Sequence, residues 1–364
     1  MAKKHENNRR RFLKSGIAGI TGATLLPKIA LGVKTAAGTE KKNKRVYRTL
    51  GRTGIKVPVI SIGATMNDSI ILAAYDAGVR HFDTANRYGA GRHETMLGKT
   101  LKSKDRDSLI IATKIIPLLD NISGMPPKDV SPADFKKDFL KKMSDSLKRL
   151  QTDYVDILYL HAAETPATLQ HPHIQEIMQE LKAKKICRHI GVSFHHNELP
   201  LIRATTDAKI YDLLLTSYNF RQPHREKVTA ELAYAAGKGL GTVGMKVMAG
   251  VYWDKEKRHP INPKASLKWC LKDPNMHTLI PRVSSFEELE QNVSVMEDIQ
   301  LSKQEQQDLL FGKKNQLSGL YCAQCGKCKK QCRYNLEIPT AMRSYMYAYA
   351  YSRPMSARET METK

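Results

Sequence analysis

The sequence predicts an α/β fold, a closed (β/α)8 TIM barrel with a small helical segment appended at its C-terminal end. Eight short apolar runs after Arg45, and the amphipathic stretches between them, carry this prediction. The runs are VPVISIGA (57–64), VRHFDTA (79–85), SLIIATKI (108–115), YVDILYLH (154–161), RHIGVSF (188–194), DLLLTSYNF (212–220), GTVGMKVM (241–248) and HTLIPRV (277–283). Near-continuous apolar strands separated by helices form a parallel sheet with helices on its faces, and eight such units close into a barrel. The rival is an open doubly wound sheet. It is disfavoured because no G-x-G-x-x-G follows the first run.

The helical pattern is plainest between the third and fourth runs. In PADFKKDFLKKMSDSLKRLQ (132–151), Phe135, Phe139, Met143, Leu147 and Leu150 recur at three- or four-residue spacing, one apolar face on a charged helix. Before it, LLDNISGMPPKDVSP (118–132) is a long loop at the C-terminal end of the third strand, and we expect it to wall the pocket. At the far end, NLEIPTAMRSYMYAYAYS (335–352) reads as a helical cover. Its Tyr345, Tyr347, Tyr349 and Tyr351, spaced by two, cannot share one helical face, so some are exposed or the segment bends.

Composition is that of a soluble globular protein, with 41% hydrophobic and 26% charged residues. Much of the net charge of +23 lies in the stretch up to Arg48 and in the tail after Gly312, and no basic stripe interleaved with aromatics runs through the middle. That argues against nucleic-acid binding. At the start, NRRRFLKSG (8–16) leads into a short, weakly apolar stretch from Ile17 to Pro27 that is too short to span a membrane. The pattern x-R-R-x-F-L-K matches a twin-arginine signal, so residues 1–37 are expected to be a signal and linker read by the twin-arginine export machinery. The expected destination is the periplasm or beyond. A disordered basic tail is the plainer alternative.

In a barrel, reactive groups belong at the C-terminal ends of the strands. Reading those positions gives Asp83 and Tyr88 after the second run, Lys114 at the end of the third and His161 at the end of the fourth. Each alone has a structural explanation as a cap, a loop cover, a solvated cation or a backbone partner. Four ionisable groups on consecutive strands of one rim form a candidate site.

FDTANRYG (82–89), GRHETMLGKTLK (91–102), IATK (111–114) and LYLHAAE (158–164) resemble the signature of the aldo-keto reductases. The resemblance extends over about 45–311, with GVSFHH after the fifth run and TLIPRVSSFEELEQNV (278–293) at the eighth. It implies that YRTLGRTGIKVPVISIG (47–63) opens with a hairpin closing the barrel floor, and that Asp83, Tyr88, Lys114 and His161 are the catalytic set. Tyr88 would be the acid, its phenol pKa lowered by Lys114, with Asp83 holding the ammonium and His161 orienting the carbonyl. A nicotinamide cofactor, NAD(P)H, would supply the hydride.

The same resemblance places Ser193, Met245, Arg282, Ser284 and Asn292 around that cofactor. This chain departs from the family pattern at Phe194, Leu215 and Met245, and Glu288 stands where an arginine often binds a 2′-phosphate. NAD and NADP are both left open. The expected substrate is a small carbonyl or sugar-like molecule. The alternative is a catalytically silent barrel that serves as a redox partner or binding protein.

Four of the six cysteines lie in YCAQCGKCKKQCR (321–333): Cys322, Cys325, Cys328 and Cys332. Their C-x2-C-x2-C-x3-C spacing is that of a ferredoxin-type [4Fe-4S] cluster, and basic neighbours would offset its charge. Short disulfide loops are strained, and structural zinc more often uses two separated C-x2-C pairs, so the cluster is favoured over both. Residues 312–364 are accordingly expected to form an iron–sulfur segment, serving as an electron relay or as a clamp on the tail. Cys187 and Cys270 read as core thiols.

Overall fold

A computed structural model describes residues 45–119, 126–161, 163–323, 327–328, 331–334 and 336–362. The twin-arginine stretch, the centre of loop 118–132 and Cys325 therefore lie outside the described residues.

An antiparallel hairpin comes first, β1 (Tyr47–Thr49) against β2 (Lys56–Pro58). After helix α1 (Asp68–Asp76), strands and helices alternate: β3 (His81–Asp83), α2 (Arg92–Leu101), β4 (Ile110–Ile115), α3 (Pro132–Leu150) and β5 (Val155–Leu160). Then come α4 (Pro166–Gln170), α5 (Pro172–Ala183), β6 (Cys187–Phe194), α6 (Glu198–Asp207), β7 (Leu213–Ser217), α7 (Arg225–Gly237) and β8 (Gly241–Met245). The series ends with α8 (Pro263–Leu271), β9 (Thr278–Leu279), α9 (Phe286–Ser294) and α10 (Lys303–Lys314). Strands β3 to β9 form one parallel sheet in sequence order.

The first predicted strand, 57–64, divides in two. Its start belongs to the hairpin, and the remainder lies between the two edges of the sheet. There Ile60 bridges Leu279 and Ile62 bridges Phe82, both in parallel. The Ser61 N–H donates to the Leu279 carbonyl (2.8 Å) and the Asp83 N–H to the Ile62 carbonyl (2.9 Å), so this short segment closes the curl. The last run yields only a two-residue strand, because Pro281 has no N–H to continue the ladder.

Two apolar layers result. Inside the curl, Leu50 and Val57 from the hairpin pack with Ala112, Ile157, Tyr159, Leu215, Val243 and Met245. Outside it, the helices pack onto the sheet through residues such as Phe135, Phe139 and Met143 of α3. That helix begins at a Ser131 cap, whose side chain accepts from the Asp134 N–H, and ends at Gln151 in the left-handed region. The floor hairpin expected from the family resemblance is thus present.

The hairpin reaches the inner layer through a close backbone approach at Gly51. This residue has φ +53°, and a Cβ placed there would lie 2.3 Å from the Gly241 nitrogen and 2.4 Å from the Leu240 carbonyl carbon. The adjacent Arg52 N–H donates to the Gly239 carbonyl (2.6 Å).

Downstream of α10, α11 (Ile338–Tyr345) runs into a π-helical turn at Met346–Ala350, followed by α12 (Pro354–Glu362). The turn sorts the tyrosines as their spacing requires. Tyr345 and Tyr349 are exposed and stack on each other with ring centres 4.5 Å apart, while Tyr347 and Tyr351 turn inward as a second pair at 5.9 Å.

Replacing Gly51 with alanine should lower the urea midpoint by the equivalent of about 2 kcal/mol or more, because the backbone on both sides must shift. An unchanged midpoint would mean that the floor is not packed this tightly in solution.

Candidate active site

Strand register decides which side chains enter the barrel mouth. Side chains alternate along a strand, so residues paired across a ladder share a face. Asp83 pairs with Ala112, Lys114 with Tyr159, Tyr159 with Gly191, and Ser193 with Leu215. Ala112, Tyr159 and Leu215 belong to the inner layer, so Asp83, Lys114 and Ser193 face inward with them, and His161 follows Tyr159 by two. Gly191 leaves room for Tyr159: a Cβ there would sit 2.9 Å from its ring.

The four predicted residues meet. Lys114 and Asp83 form an ion pair in which both side chains are almost fully buried. The Lys114 ammonium also donates to the Thr84 carbonyl (2.7 Å) and lies 3.5 Å from the Tyr88 hydroxyl. The His161 ring stands edge-on to Tyr88 with centres 5.9 Å apart.

Burial works against the Lys114 ammonium, but Asp83 and Tyr88 outweigh it and hold its pKa above the usual value. Asp83 is raised by burial, with Lys114 opposing. For Tyr88 the lowered phenol pKa expected from the sequence is not found. Burial raises it, Lys114 offsets only part of that, and the phenol keeps its proton. His161 is driven well below its ordinary value by burial and by Lys114 and Arg87, so its imidazole is neutral. Its buried Nδ1 has no hydrogen-bond partner.

A cavity of about 870 Å³ opens from this corner. Asp83 and Tyr88 line it, and so do Arg282, Glu288 and Asn292 past β9. Met245 lines it; Ser193 is not among its lining residues, and its buried Oγ has no hydrogen-bond partner. Arg282 donates to Ser284 Oγ (2.9 Å) and leaves its buried Nε unpartnered. Asn292, buried, donates to the Arg282 carbonyl (2.9 Å) and fixes that loop. Phe194 and Leu215, two of the departures from the family pattern, are wholly buried.

None of the described residues of loop 118–132 lines the cavity, and the centre of that loop lies outside the described residues. Among the described residues the cavity's outer wall comes from the loop before α8, including Trp253 and Ile261, and from the tail, including Tyr321, Cys322, Tyr347 and Tyr351. The tail is tied down by Tyr321, whose hydroxyl donates to Asn219 Oδ1 (3.1 Å), and by Arg221, which donates to the Ser318 carbonyl (2.5 Å).

Several residues at this site were not foreseen. His93 of α2 accepts the Thr65 N–H at Nε2 (3.1 Å) and contacts Thr84 Oγ1 through Nδ1 (2.7 Å), so Nδ1 carries the hydrogen. It braces the loop holding Tyr88, whose ring centre is 6.2 Å away. His195 lines the cavity 6.2 Å from the His161 ring. Lys246, in the left-handed region at φ +55°, also lines it; burial, with Arg343 adding, pushes its pKa down to about 7. His195 was visible only as part of GVSFHH and His93 only as part of GRHETMLGKTLK, whereas Lys246 directly follows β8, at a strand end whose signal was missed.

Cys322, Cys328 and Cys332 are half-buried and form no disulfide among the described residues. Among those residues no group of three His, Cys, Asp or Glu side chains is placed to hold a metal, and Cys325 lies outside them. Cys187 and Cys270 are buried thiols, as expected, with burial pushing Cys187 up to about 12.

Burial holds His93 at about 4, against an ordinary 6.5, so it is neutral in the fold but takes a proton in the unfolded chain. Its contribution is complete above pH 6.5 and is lost as pH falls toward 4, so stability rises with pH across that window. Between pH 5 and 6, His93→Gln should flatten the slope of unfolding free energy by about 1 kcal/mol per pH unit. Urea titrations at both pH values would reveal an unaltered slope if the assignment is wrong.

The chain was compared with known proteins. The family model described as aldo/keto reductase family matches residues 64–268. L-galactose dehydrogenase of Arabidopsis thaliana is 26% identical over 311 residues, covering 72% of this chain and 91% of that protein. L-glyceraldehyde 3-phosphate reductase of Escherichia coli is 25% identical over 333 residues, covering 74% and 92%. Among solved structures, an aldo-keto reductase from Bacillus halodurans in its holo form superimposes with TM-score 0.57 at 22% identity, over 74% of this chain and 96% of that one. One from Klebsiella pneumoniae, solved with NADP and acetate, gives 0.56 at 22% identity over 74% and 95%. These two structures bear on the fold, and the matched stretch covers more than half of the sequence. With a closed parallel barrel carrying Asp83, Tyr88, Lys114 and His161 at one mouth, the chain belongs to the aldo/keto reductase family of enzymes.

Proposed function

We propose that this enzyme interconverts a small carbonyl compound and its alcohol with a nicotinamide dinucleotide, using Tyr88 as the proton donor to the carbonyl oxygen. The observation that carries this reading is the Tyr88 hydroxyl 3.5 Å from a buried, Asp83-paired ammonium at the end of the cavity. The residues present fit such a cofactor. Ser193 Oγ and Arg282 Nε are buried without partners, and Tyr88, Met245, Arg282 and Asn292 line one cavity.

When bound, the nicotinamide supplies the hydride. Tyr88 holds its proton at rest, because burial favours the neutral phenol. As charge grows on the substrate oxygen, the Tyr88 proton moves toward it, and the Lys114 ammonium stabilises the phenolate left behind. Asp83 and the Thr84 carbonyl fix that ammonium. His161, neutral, orients the carbonyl oxygen without competing as the acid. Met245, Ser284 and Asn292 complete the proposed dinucleotide contacts with Ser193 and Arg282. Relatives named for L-galactose and L-glyceraldehyde 3-phosphate support a sugar-like substrate, and a neighbour solved with NADP supports a nicotinamide cofactor.

The proposal extends to both ends of the chain. The spacing of Cys322, Cys325, Cys328 and Cys332 supports a [4Fe-4S] cluster, and NRRRFLKSG supports export by the twin-arginine route. That route carries folded proteins, which suits a chain that acquires its cluster before export. Electron relay, with or without a redox partner, and a clamp on the tail are the two uses a cluster there would have. A redox titration with and without substrate separates them.

Tyr88→Phe should lower turnover by about a hundredfold or more while leaving dinucleotide affinity unchanged. Turnover equal to that of the unaltered enzyme would remove Tyr88 as the acid, and absence of turnover in both would favour the silent-barrel alternative. Anaerobically purified protein should contain four iron and four acid-labile sulfide per chain. Zinc alone, or intact disulfides among these cysteines, would replace the cluster assignment.

A further inference from the structure

The tail lies beyond the stretch that matches the family, yet it lines the same cavity as Tyr88. Tyr347, Tyr351 and Arg353 all line it, as do Arg282 and Glu288. The π-helical turn at Met346–Ala350 sets their direction. The Tyr351 N–H donates to the Met346 carbonyl (3.2 Å), Ser352 takes φ +52°, and the Arg353 N–H returns to the Tyr347 carbonyl (2.8 Å). This knot turns Tyr351 toward Arg282, whose guanidinium lies 5.7 Å from the ring centre, and carries Arg353 to the same wall.

Charge at this end is unbalanced. Arg282 and Arg353 are electrostatic neighbours, and Glu288 is the carboxylate facing both. Glu288 is already committed: its Oε2 accepts from the Ser284 N–H (2.7 Å) and Ser284 Oγ (2.8 Å), while its Oε1 is 3.8 Å from Arg282. Arg353 loses part of its basicity, first to burial and then to Arg282. An anion between the two guanidinia would relieve both effects.

We propose that Arg353 and Arg282 together grip a phosphate group of the bound dinucleotide, so that the C-terminal tail acts as a strap that must lift before the cofactor leaves. The inference rests on the nicotinamide-dependent reading above and adds a tail residue to it. Glu288 sets the balance: two arginines against one engaged carboxylate leave one net positive charge for the phosphate.

The test uses the full chain, titrated with NADH and NADPH by dinucleotide fluorescence, with dissociation followed by stopped flow. Arg353→Ala should weaken binding about tenfold, mostly through faster dissociation, and Arg353→Lys should fall between it and the unaltered protein. With dinucleotide saturating, KM for an unphosphorylated aldehyde should not change. Equal losses for both dinucleotides identify the pyrophosphate, and a loss confined to NADPH identifies the 2′-phosphate; either supports the grip.

Unaltered affinity in Arg353→Ala overturns the proposal while leaving the nicotinamide reading intact. So does a variant whose only defect is a higher KM for glyceraldehyde 3-phosphate, since the phosphate would then belong to the substrate. If the unaltered protein binds neither dinucleotide, the functional reading itself fails, and the grip fails with it.

Discussion

The ion pair between Lys114 and Asp83 is the constraint on which the mouth of this barrel depends. Both side chains are within 2% of full burial, so neither has water to solvate it. Removing one partner from such a pair leaves an uncompensated buried charge, a change that typically costs about 3–5 kcal/mol. The pair is tolerable because the Thr84 carbonyl accepts a second ammonium proton and the register of β3 on β4 brings both residues to the same face. It also sets the electrostatics around it. Lys114 acts on Tyr88, His161, His93 and His81, pulling the phenol down and each imidazole further from protonation. An ammonium held by one carboxylate and flanked by a neutral phenol and neutral imidazoles is a preorganised arrangement, ready for negative charge that develops during reaction.

The interior of the barrel explains why that charge can stay where it is. Below the site the barrel is filled by Tyr159, Ile157, Leu215 and Val243, and the hairpin seals it with Leu50 and Val57. This filling is apolar, so Lys114 is insulated from the floor. The buried carboxylates of Asp156 and Asp212 serve the opposite end, where each accepts a backbone N–H, from Ile111 and Ile190 respectively. Stability and chemistry are thus separated along the barrel axis, with the reactive groups on the βα side.

What could be read from the sequence follows the same division. Periodicity gave the strands and helices because burial repeats along them, and strand ends gave Asp83, Tyr88, Lys114 and His161 because a barrel aims those positions at its mouth. The first and last strands were less legible: 59–63 pairs through isolated bridges, and Pro281 stops β9 after two residues. His93 escaped notice because its role depends on a helix meeting the loop at Thr65, a contact with no local pattern. The state of Tyr88 departs from expectation for a physical reason. A neighbouring cation is visible in a motif, but the depth of burial that outweighs it is a property of the closed fold. The tail's part in the pocket wall was hidden in the same way, since no local pattern places Tyr347 and Tyr351 over the cavity.

The tail draws its order from two sources, and this bears on how it can move. Part is internal: the Ser344 hydroxyl donates to the Ala357 carbonyl (2.7 Å), holding α11 to α12 across the π-helical turn. Part comes from the barrel, through Tyr321 on Asn219 and Arg221 on the Ser318 carbonyl. These anchors, at Ser318 and Tyr321, lie at the base of the tail, and Tyr347, Tyr351 and Arg353 line the cavity from further along it. A unit tethered at its base and held together internally can swing as a body, giving up its cavity contacts without unfolding. Those contacts include two aromatic rings and one guanidinium, so the anion proposed beneath them would add attraction at the free end. Access to the cavity then depends on whether that end is charge-paired or empty, which couples the loading of the site to the position of the tail.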